Sequence, residues 1–464
     1  MHNISLQSFG AYNDEVTGSK HLLKIDEENY LIDYGAWQGN QEDDKKNKEF
    51  ICPIPVDQIT SVILDHAHYD HCGLLPKLIK QGYKGVIRST PATRDLASIV
   101  MMDAAKIQSY EKEPNYTETD VVNTINQFRC HFYHKEKQIT SKTKVTFYDA
   151  GHILGSSLVD FEIDNRNIIE KFFHKKPLHV LFTGDLGRSH NPIVNKPETN
   201  FPSPNYIILE STYGNRLHTE PKIALTEFAN IINRTINREG KVIIPSFAIE
   251  RAQEIIYYLK CLMQEEKIPR IPVYIDSPMA INATGAFNIH PECFNNEVKD
   301  RFLSKGKNPF SIATLHCIND FTESIKVARS RKPCIIIAAN GMCEAGRIRN
   351  HLKYGVGDSR NTIIIVGYMG EHTLGRDILE KNPVITIDEK EYELRAEVQS
   401  ISAFSSHSDY QETLNWLKQI DTSNLKKIFL VHGDKDAKEF LKNLLINNGY
   451  KNVEIIKNNY EYQL

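Results

Sequence analysis

Along the chain, short apolar runs close on polar residues. Tyr30 to Ile32 precedes Asp33, Ser61 to Leu64 precedes Asp65, and Leu178 to Phe182 precedes Thr183-Gly184-Asp185. Such runs bounded by turn signals predict buried strands, and polar residues at strand tips line the active edge of an α/β sheet. Asp103 to Gln138 is polar with scattered apolar positions and predicts helix. From about Ser211 the texture changes. Val242 to Ile244, Val273 to Ile275, Ile335 to Ala338 and Ile363 to Gly367 alternate with helical periods, which predicts a second doubly wound sheet, parallel and flanked by helices. Ile428 to Val431, ending at His432, returns to the first style. The pattern predicts nesting: a first domain begun over residues 1–210, an insertion over 211–385, and a completing part over 386–464.

Composition narrows the class. With 464 residues, 41% apolar, 25% charged, 24 Gly and 19 Pro, the chain is an ordinary globular one, which excludes disordered and fibrous classes. No stretch approaches the roughly 18 apolar residues that cross a bilayer, and Met1 to Gly10 lacks the basic start and apolar run of a signal peptide. A cytoplasmic protein without a membrane partner is expected. The eight cysteines are scattered with no CxxC pair, which argues against a thiolate zinc site and against a disulfide framework. A net charge of -3 excludes a globally basic nucleic-acid binder, so a polyanion must be met by a local patch or by metal. Charge does separate at the nesting boundary: residues 211–385 hold 23 Lys and Arg against 18 Asp and Glu, and the remainder holds 33 against 41.

Leu64 to Leu75 reads LDHAHYDHCGLL and holds His66, His68, Asp70 and His71 in an HxHxDH pattern. In a loop at a strand end, alternating His66 and His68 point the same way and can grip one metal ion. Asp70 and His71 then turn toward a second, about 3.5–4 Å from the first. Imidazole and carboxylate without thiolate suit zinc or a neighbouring first-row ion. Two metals need more ligands than one loop supplies. His152 in DAGHILGS and Asp185 in FTGDLG stand where a strand runs into a glycine turn, and an Asp there can bridge both ions.

HxHxDH, a Gly-His turn and TGD, in this order, resemble the metallo-β-lactamase fold, an αββα sandwich of two mixed sheets. LESTYG at Leu209–Gly214, VIIPSFAIERAQE at Val242–Glu254, YIDSPMAINAT at Tyr274–Thr284, NGMCEAGRI at Asn340–Ile348, SSHSDYQ at Ser405–Gln411, LVHG at Leu430–Gly433 and EVTGS at Glu15–Ser19 narrow the resemblance. Together they span the chain and are similar to the β-CASP group of RNA-processing nucleases, whose eukaryotic members cleave pre-mRNA at its 3′ end; bacterial and archaeal members look closest. Residues 211–385 would then be the β-CASP insertion.

The resemblance implies a ligand set and roles. His66, His68 and His152 would hold one zinc, Asp70, His71 and His432 a second, with Asp185 between them. Asp33 would orient the histidine ligands. His407 would be the proton donor and Glu210 would hold it. The implied activity is RNA hydrolysis by a metal-bridged hydroxide, leaving 5′-phosphate and 3′-hydroxyl ends, with His407, Glu210, Asp70 and Asp33 as the catalytic set and two zinc ions per chain. His432 at the last motif favours RNA over DNA, because DNA-repair relatives carry an apolar residue there. Arg251, Arg347 and Arg376 lie in family motifs of the insertion and are candidates for phosphate contacts. His372, in GYMGEHTLG, stands where related sequences usually show Gly and is assigned no role.

Three rival readings are weighed. A DNA nuclease of the same group conflicts with His432. A small-molecule metallo-hydrolase of lactonase or thioesterase type leaves the insertion, Glu210 and His407 without a use. A scaffold that has lost its metals conflicts with the full ligand set. Endonuclease against 5′–3′ exonuclease action, RNA sequence preference and physiological substrate are left open, as is oligomeric state, where a homodimer is admitted.

Overall fold

A strand that is buried at every position needs cover on both faces, and alternate residues supply the two faces. Leu178–Phe182 does this in the computed structural model: Val180 and Phe182 enter one core with Val159, Phe161, Tyr30 and Phe429, while Leu181 enters another with Leu209, Leu414 and Leu441. The structure describes residues 3–464 other than 14, 40, 165, 167–175, 368 and 371. The chain forms two units, Met1–Leu217 with His407–Leu464, and His218–Ser406.

In the first unit two seven-stranded sheets, counted among the described residues, face each other. One runs, in spatial order, Tyr462–Gln463, Ile4–Gly10, Lys20–Ile25, Glu28–Ile32, Ser61–Ile63, Ile87–Ser89 and Phe128–Cys130. The other runs Val453–Ile455, Lys427–Val431, Tyr206–Glu210, Leu178–Phe182, Ser157–Ile163, Thr143–Asp149 and Lys137–Gln138. Both are mixed: hairpins give antiparallel pairs, and crossovers give parallel ones such as Tyr206–Glu210 on Lys427–Val431. The first core lies between the sheets. The outer face of the second sheet is covered by the helices Tyr410–Gln419 and Lys435–Asn447 through Leu414, Trp416, Leu417, Leu441 and Leu445. This is the αββα sandwich of the metallo-β-lactamase fold.

The second unit holds a six-stranded, wholly parallel sheet in the order Leu315–Cys317, Val273–Asp276, Ile335–Ala338, Val242–Pro245, Thr362–Ile365 and Glu397–Ser400. It runs past Ile385 to Ser406, because Glu397–Ser400 pairs in register with Thr362–Ile365. That edge strand reads EVQS and has no apolar run to betray it.

One predicted element differs. Asp103 to Gln138 is helical only in parts: Pro91–Gln108 ends just inside it, Glu118–Asn126 forms a second helix, and Phe128–Cys130 and Lys137–Gln138 are strands. Thr117 and Asp120 form a reciprocal cap that starts the second helix. Strands of two or three residues are too short to show an alternation.

Candidate metal centre

Polar residues collect at one edge of the sandwich because the strands that carry them end there. Asp33 follows Glu28–Ile32, Asp65 follows Ser61–Ile63, Asp185 follows Leu178–Phe182, Glu210 closes Tyr206–Glu210, and His432 follows Lys427–Val431. Asp33 and His432 leave their strands in the left-handed conformation, with φ of 62° and 52°. Such strain in non-glycine residues persists only where the surroundings over-determine it. The HxHxDH segment forms a single helical turn, Tyr69–Cys72, behind His68.

Two groups of side chains meet around Asp185. In the first, His66 Nε2 and His152 Nε2 lie 3.0 and 3.2 Å from His68 Nδ1. Asp185 Oδ2 stands 3.4 Å from His66 Nε2 and 3.5 Å from His152 Nε2. In the second, His432 Nε2 lies 3.2 Å from both His71 Nε2 and Asp70 Oδ2. Asp185 Oδ1 stands 3.5 Å from His71 Nε2 and from His432 Nδ1. One carboxylate therefore presents one oxygen to each group.

The outward nitrogens fix which lone pairs point inward. His66 Nδ1 donates to Asp65 Oδ1 at 2.8 Å, and His71 Nδ1 donates to Asp33 Oδ2 at 2.7 Å. Their Nε2 atoms are left as acceptors facing the centre. Asp185 Oδ1 and His152 Nδ1 are buried without a hydrogen-bond partner. Converging imidazole lone pairs beside a buried carboxylate are costly unless a cation lies among them, so the residues fit divalent metal. Electrostatics agree for the first group, whereas in the second burial lowers the pKa of His71 but the carboxylates of Asp185, Asp65 and Asp33 outweigh it and raise it. Burial pushes His68 down to about 3 and lowers His152, keeping both neutral, as ligands must be. Asp185 is held well below the carboxylate range: burial opposes this, but His432, His71 and His66 outweigh it.

Beside this centre, Glu210 is fixed by the backbone N–H groups of Leu186 at 3.0 Å and Thr212 at 2.7 Å. Its Oε1 accepts from His407 Nδ1 at 3.0 Å. The other nitrogen of that ring, Nε2, faces Asp185 Oδ2 at 3.9 Å. Burial disfavours the imidazolium of His407, but the carboxylates of Glu210 and Asp185 outweigh it and raise its pKa.

Family models match in three consecutive stretches: a metallo-beta-lactamase superfamily domain over residues 22–184, a Beta-Casp domain over 252–378, and a Zn-dependent metallo-hydrolase RNA specificity domain over 391–456. Ribonuclease TTHA0252 of Thermus thermophilus is 35% identical over 94% of this chain and 95% of its own length. The chain belongs to the β-CASP group of the metallo-β-lactamase superfamily. The transcription termination factor FttA of Methanosarcina mazei is 34% identical over 91% of this chain and 66% of its own, and that of Pyrococcus horikoshii 30% over 93% and 66%. The β-CASP chain thus spans about two thirds of those relatives. A crystal structure of a protein of unknown function from Enterococcus faecalis V583 shares the fold, with a TM-score of 0.52 at 12% identity, covering 99% of this chain and all of that one.

Two of the three candidate arginines of the β-CASP unit are tied into its framework. Arg251 is buried, pairs with Glu254 and donates to Ser406 Oγ at 3.1 Å. Arg347 bonds Asp276 Oδ1 at 2.7 Å and the carbonyls of Ile318 and Asn319 at 2.9 and 2.6 Å. Both hold the framework of the unit. Arg376 is half-exposed and pairs with Glu380 at 2.6 Å. His372 is exposed at φ 62°, a conformation glycine adopts freely, which accounts for the Gly of related sequences. Sequence reasoning placed Asp65 at the active edge without a partner and gave Thr212 and Ser19 no individual role. Asp65 bonds His66, Thr212 Oγ1 sits 3.0 Å from His432 Nδ1, and Ser19 Oγ donates to Asp33 at 3.1 Å. Asp65 opens the LDH of the metal motif, and its place at a strand tip was the available signal.

Proposed function

We propose that this β-CASP protein is a two-zinc ribonuclease that hydrolyses RNA phosphodiester bonds and leaves 5′-phosphate and 3′-hydroxyl ends. That it is a metal-dependent ribonuclease follows from its family. The finer reading is carried by one observation: Asp185 faces two ligand groups with its two oxygens while His407 Nε2 stands 3.9 Å from the same carboxylate.

Hydrolysis of a phosphodiester needs a nucleophile at neutral pH, compensation of phosphoryl charge, and a proton for the leaving oxygen. Two zinc ions, when bound, lower the pKa of water and draw charge from the phosphoryl oxygens. His66, His68 and His152 would hold one, Asp70, His71 and His432 the other, and Asp185 both. Asp33 and Asp65 keep protons on the outward nitrogens of His71 and His66, so these rings stay oriented. As the water oxygen bonds to phosphorus and the bond to the 3′-oxygen breaks, His407 gives its Nε2 proton to that oxygen. Glu210 holds Nδ1 throughout. The ribose 2′-hydroxyl takes no part, which is why the ends are 5′-phosphate and 3′-hydroxyl. RNA is favoured by His432, by the model over residues 391–456 and by the name of the Thermus relative.

Metal analysis of the purified protein, with cleavage of circular and of 5′-end-labelled RNA, tests the reading. Close to two zinc per chain are expected, with Asp185→Asn and His68→Ala losing both metal and cleavage. Full cleavage by a thoroughly chelated sample would sink it, and opening of the circle separates endonuclease from exonuclease action.

A further inference from the structure

Among its described residues, the segment Ala11–Ser19, which ends in the EVTGS motif, meets the second ligand group at its two ends. At one end the carbonyl of Ala11 accepts the backbone N–H of His432 at 2.8 Å. At the other, the N–H of Ser19 donates to the carbonyl of Asp70 at 2.8 Å, and Ser19 Oγ donates to Asp33, which orients His71. All three members of the second group, Asp70, His71 and His432, therefore lean on this segment. The first group leans on it only one step further off: Asp33 accepts the N–H of Asp65, which holds His66, at 3.1 Å, while the N–H of His152 is held by Ser156 Oγ at 3.0 Å.

What shapes the segment is a buried lysine. Lys438 is wholly buried on the helix Lys435–Asn447, whose cap, Asp434, comes two residues after His432. Its Nζ donates to the carbonyls of Ala11 at 3.3 Å, Asn13 at 3.0 Å and Glu15 at 3.1 Å. An ammonium has three N–H donors, and these three carbonyls are among its acceptors. Ala11 and Asn13 are both left-handed, at φ 56° and 44°, a bend that turns the carbonyls inward toward one point. Without a cation there, three carbonyl dipoles would face one another unsatisfied in a dry site. The bend would open, and the His432 N–H would lose its acceptor.

We infer that Lys438 is a positioning residue for the second metal group, acting through the segment Ala11–Ser19 on His432 and Asp70. This rests on the two-metal reading above. It predicts a selective defect: removing the ammonium weakens one metal site and spares the other. Partners behind metal ligands commonly matter by 10- to 100-fold in affinity.

The test is a zinc titration of the full chain against a competing chelator, for wild type, Lys438→Met and Glu15→Ala. Glu15 steadies the same segment from outside, accepting from Trp37 Nε1 at 2.9 Å and Lys46 at 3.1 Å, so its loss is milder and leaves the core intact. Wild type should bind two zinc ions. Lys438→Met should keep one at wild-type affinity and bind the second at least about tenfold more weakly. Glu15→Ala should shift the second site in the same direction by less. Cleavage by Lys438→Met should be low at limiting zinc and recover with excess, KM for RNA unchanged; a general loss of stability would instead weaken both zinc sites together. If Lys438→Met does not fold, Glu15→Ala decides alone. Fewer than two zinc ions in wild type overturns the two-metal reading and this inference with it. Two in wild type, with the second site unchanged in every folded variant, overturns the role of Lys438 only.

Discussion

His407 and Glu210 lie 197 positions apart in sequence, yet their side chains meet at 3.0 Å. The value of a general acid depends on how badly the leaving group needs a proton, and such acids contribute about 10² to 10⁴ in rate. A ribose alkoxide leaves poorly, whereas nitrophenolate leaves without help. His407→Ala should therefore slow RNA cleavage by about 10² or more while largely sparing bis(p-nitrophenyl) phosphate, with metal content unchanged. Equal losses on both substrates would refute the proton-donor role. Glu210→Gln should give a milder form and a signature in pH. In the proposed role the active form of His407 is protonated, and its pKa is raised by Glu210 and Asp185 against the opposing effect of burial. Activity is then present below that raised pKa and lost as pH rises through it. Removing the Glu210 charge should shift the alkaline limb of kcat/KM to lower pH. At this scale the sequence is readable where spacing is dense, as in HxHxDH, where four candidate ligands fall within six residues. It is poorly readable where a residue acts through one bond from a distant strand, as Thr212 does on His432, or through backbone carbonyls, as Lys438 does.

At the scale of elements, backbone proximity decides whether the ligand turn can form. Residues 34–36 run alongside it: the N–H of Tyr34 donates to His71 O at 2.9 Å and that of Ala36 to Tyr69 O at 3.0 Å. Between them, a Cβ on Gly35 would lie 1.6 Å from the Asp70 carbonyl oxygen. Gly35→Ala must push the Tyr69–Cys72 turn away, at a cost of about 1–3 kcal/mol for overpacking. Its metal content should drop toward one per chain, read by elemental analysis beside a melting curve; an unshifted melt with two metals would show that the turn can yield. In the other unit the edge strand Glu397–Ser400 is tied to the helix Pro221–Asn237 and its C-cap by Glu397 with Arg234 and Arg238. Burial opposes ionisation of Glu397, but the two guanidinium groups outweigh it and hold its carboxyl at about 2, below the ordinary 4.5. A depressed carboxyl adds stability that is complete above its unfolded pKa and is lost as pH falls through the folded one. Glu397→Gln should thus be less stable than wild type at pH 7, by under about 1 kcal/mol since the pair is partly solvated. The difference should close between about pH 4.5 and 2, as thermal midpoints measured across that window would register. Short apolar runs made two strands in each sheet of the sandwich and four of the parallel sheet legible. The short strand Phe128–Cys130 and the polar edge strand Glu397–Ser400 are stabilised by neighbours in the sheet, and local sequence carries little trace of that.

Over the whole molecule, nesting was legible because Lys427–Val431 repeats the strand-then-ligand style of the first part. Its register on Tyr206–Glu210, residue for residue, is what brings His432 to the edge where Glu210 ends. The same division separates two tasks that one experiment can pull apart. Chelation should abolish cleavage, since in the proposed mechanism the metal supplies both the activated water and the charge that offsets the phosphoryl oxygens. Binding should respond differently, because two effects oppose each other. Losing metal leaves Asp70 and Asp185 as bare carboxylates that repel phosphate, and it leaves untouched the surplus of 23 Lys and Arg over 18 Asp and Glu in residues 211–385. Single-stranded RNA releases about 0.7 counterion per phosphate neutralised, so affinity carried by such residues falls steeply with salt. The metal-free protein should therefore bind RNA more weakly than the zinc-loaded one while keeping most of the salt dependence, as measured by fluorescence anisotropy between low and high ionic strength. A salt slope that vanishes with the metal would place the binding charge at the metal centre itself and leave the basic excess of the insertion without a role in RNA recognition.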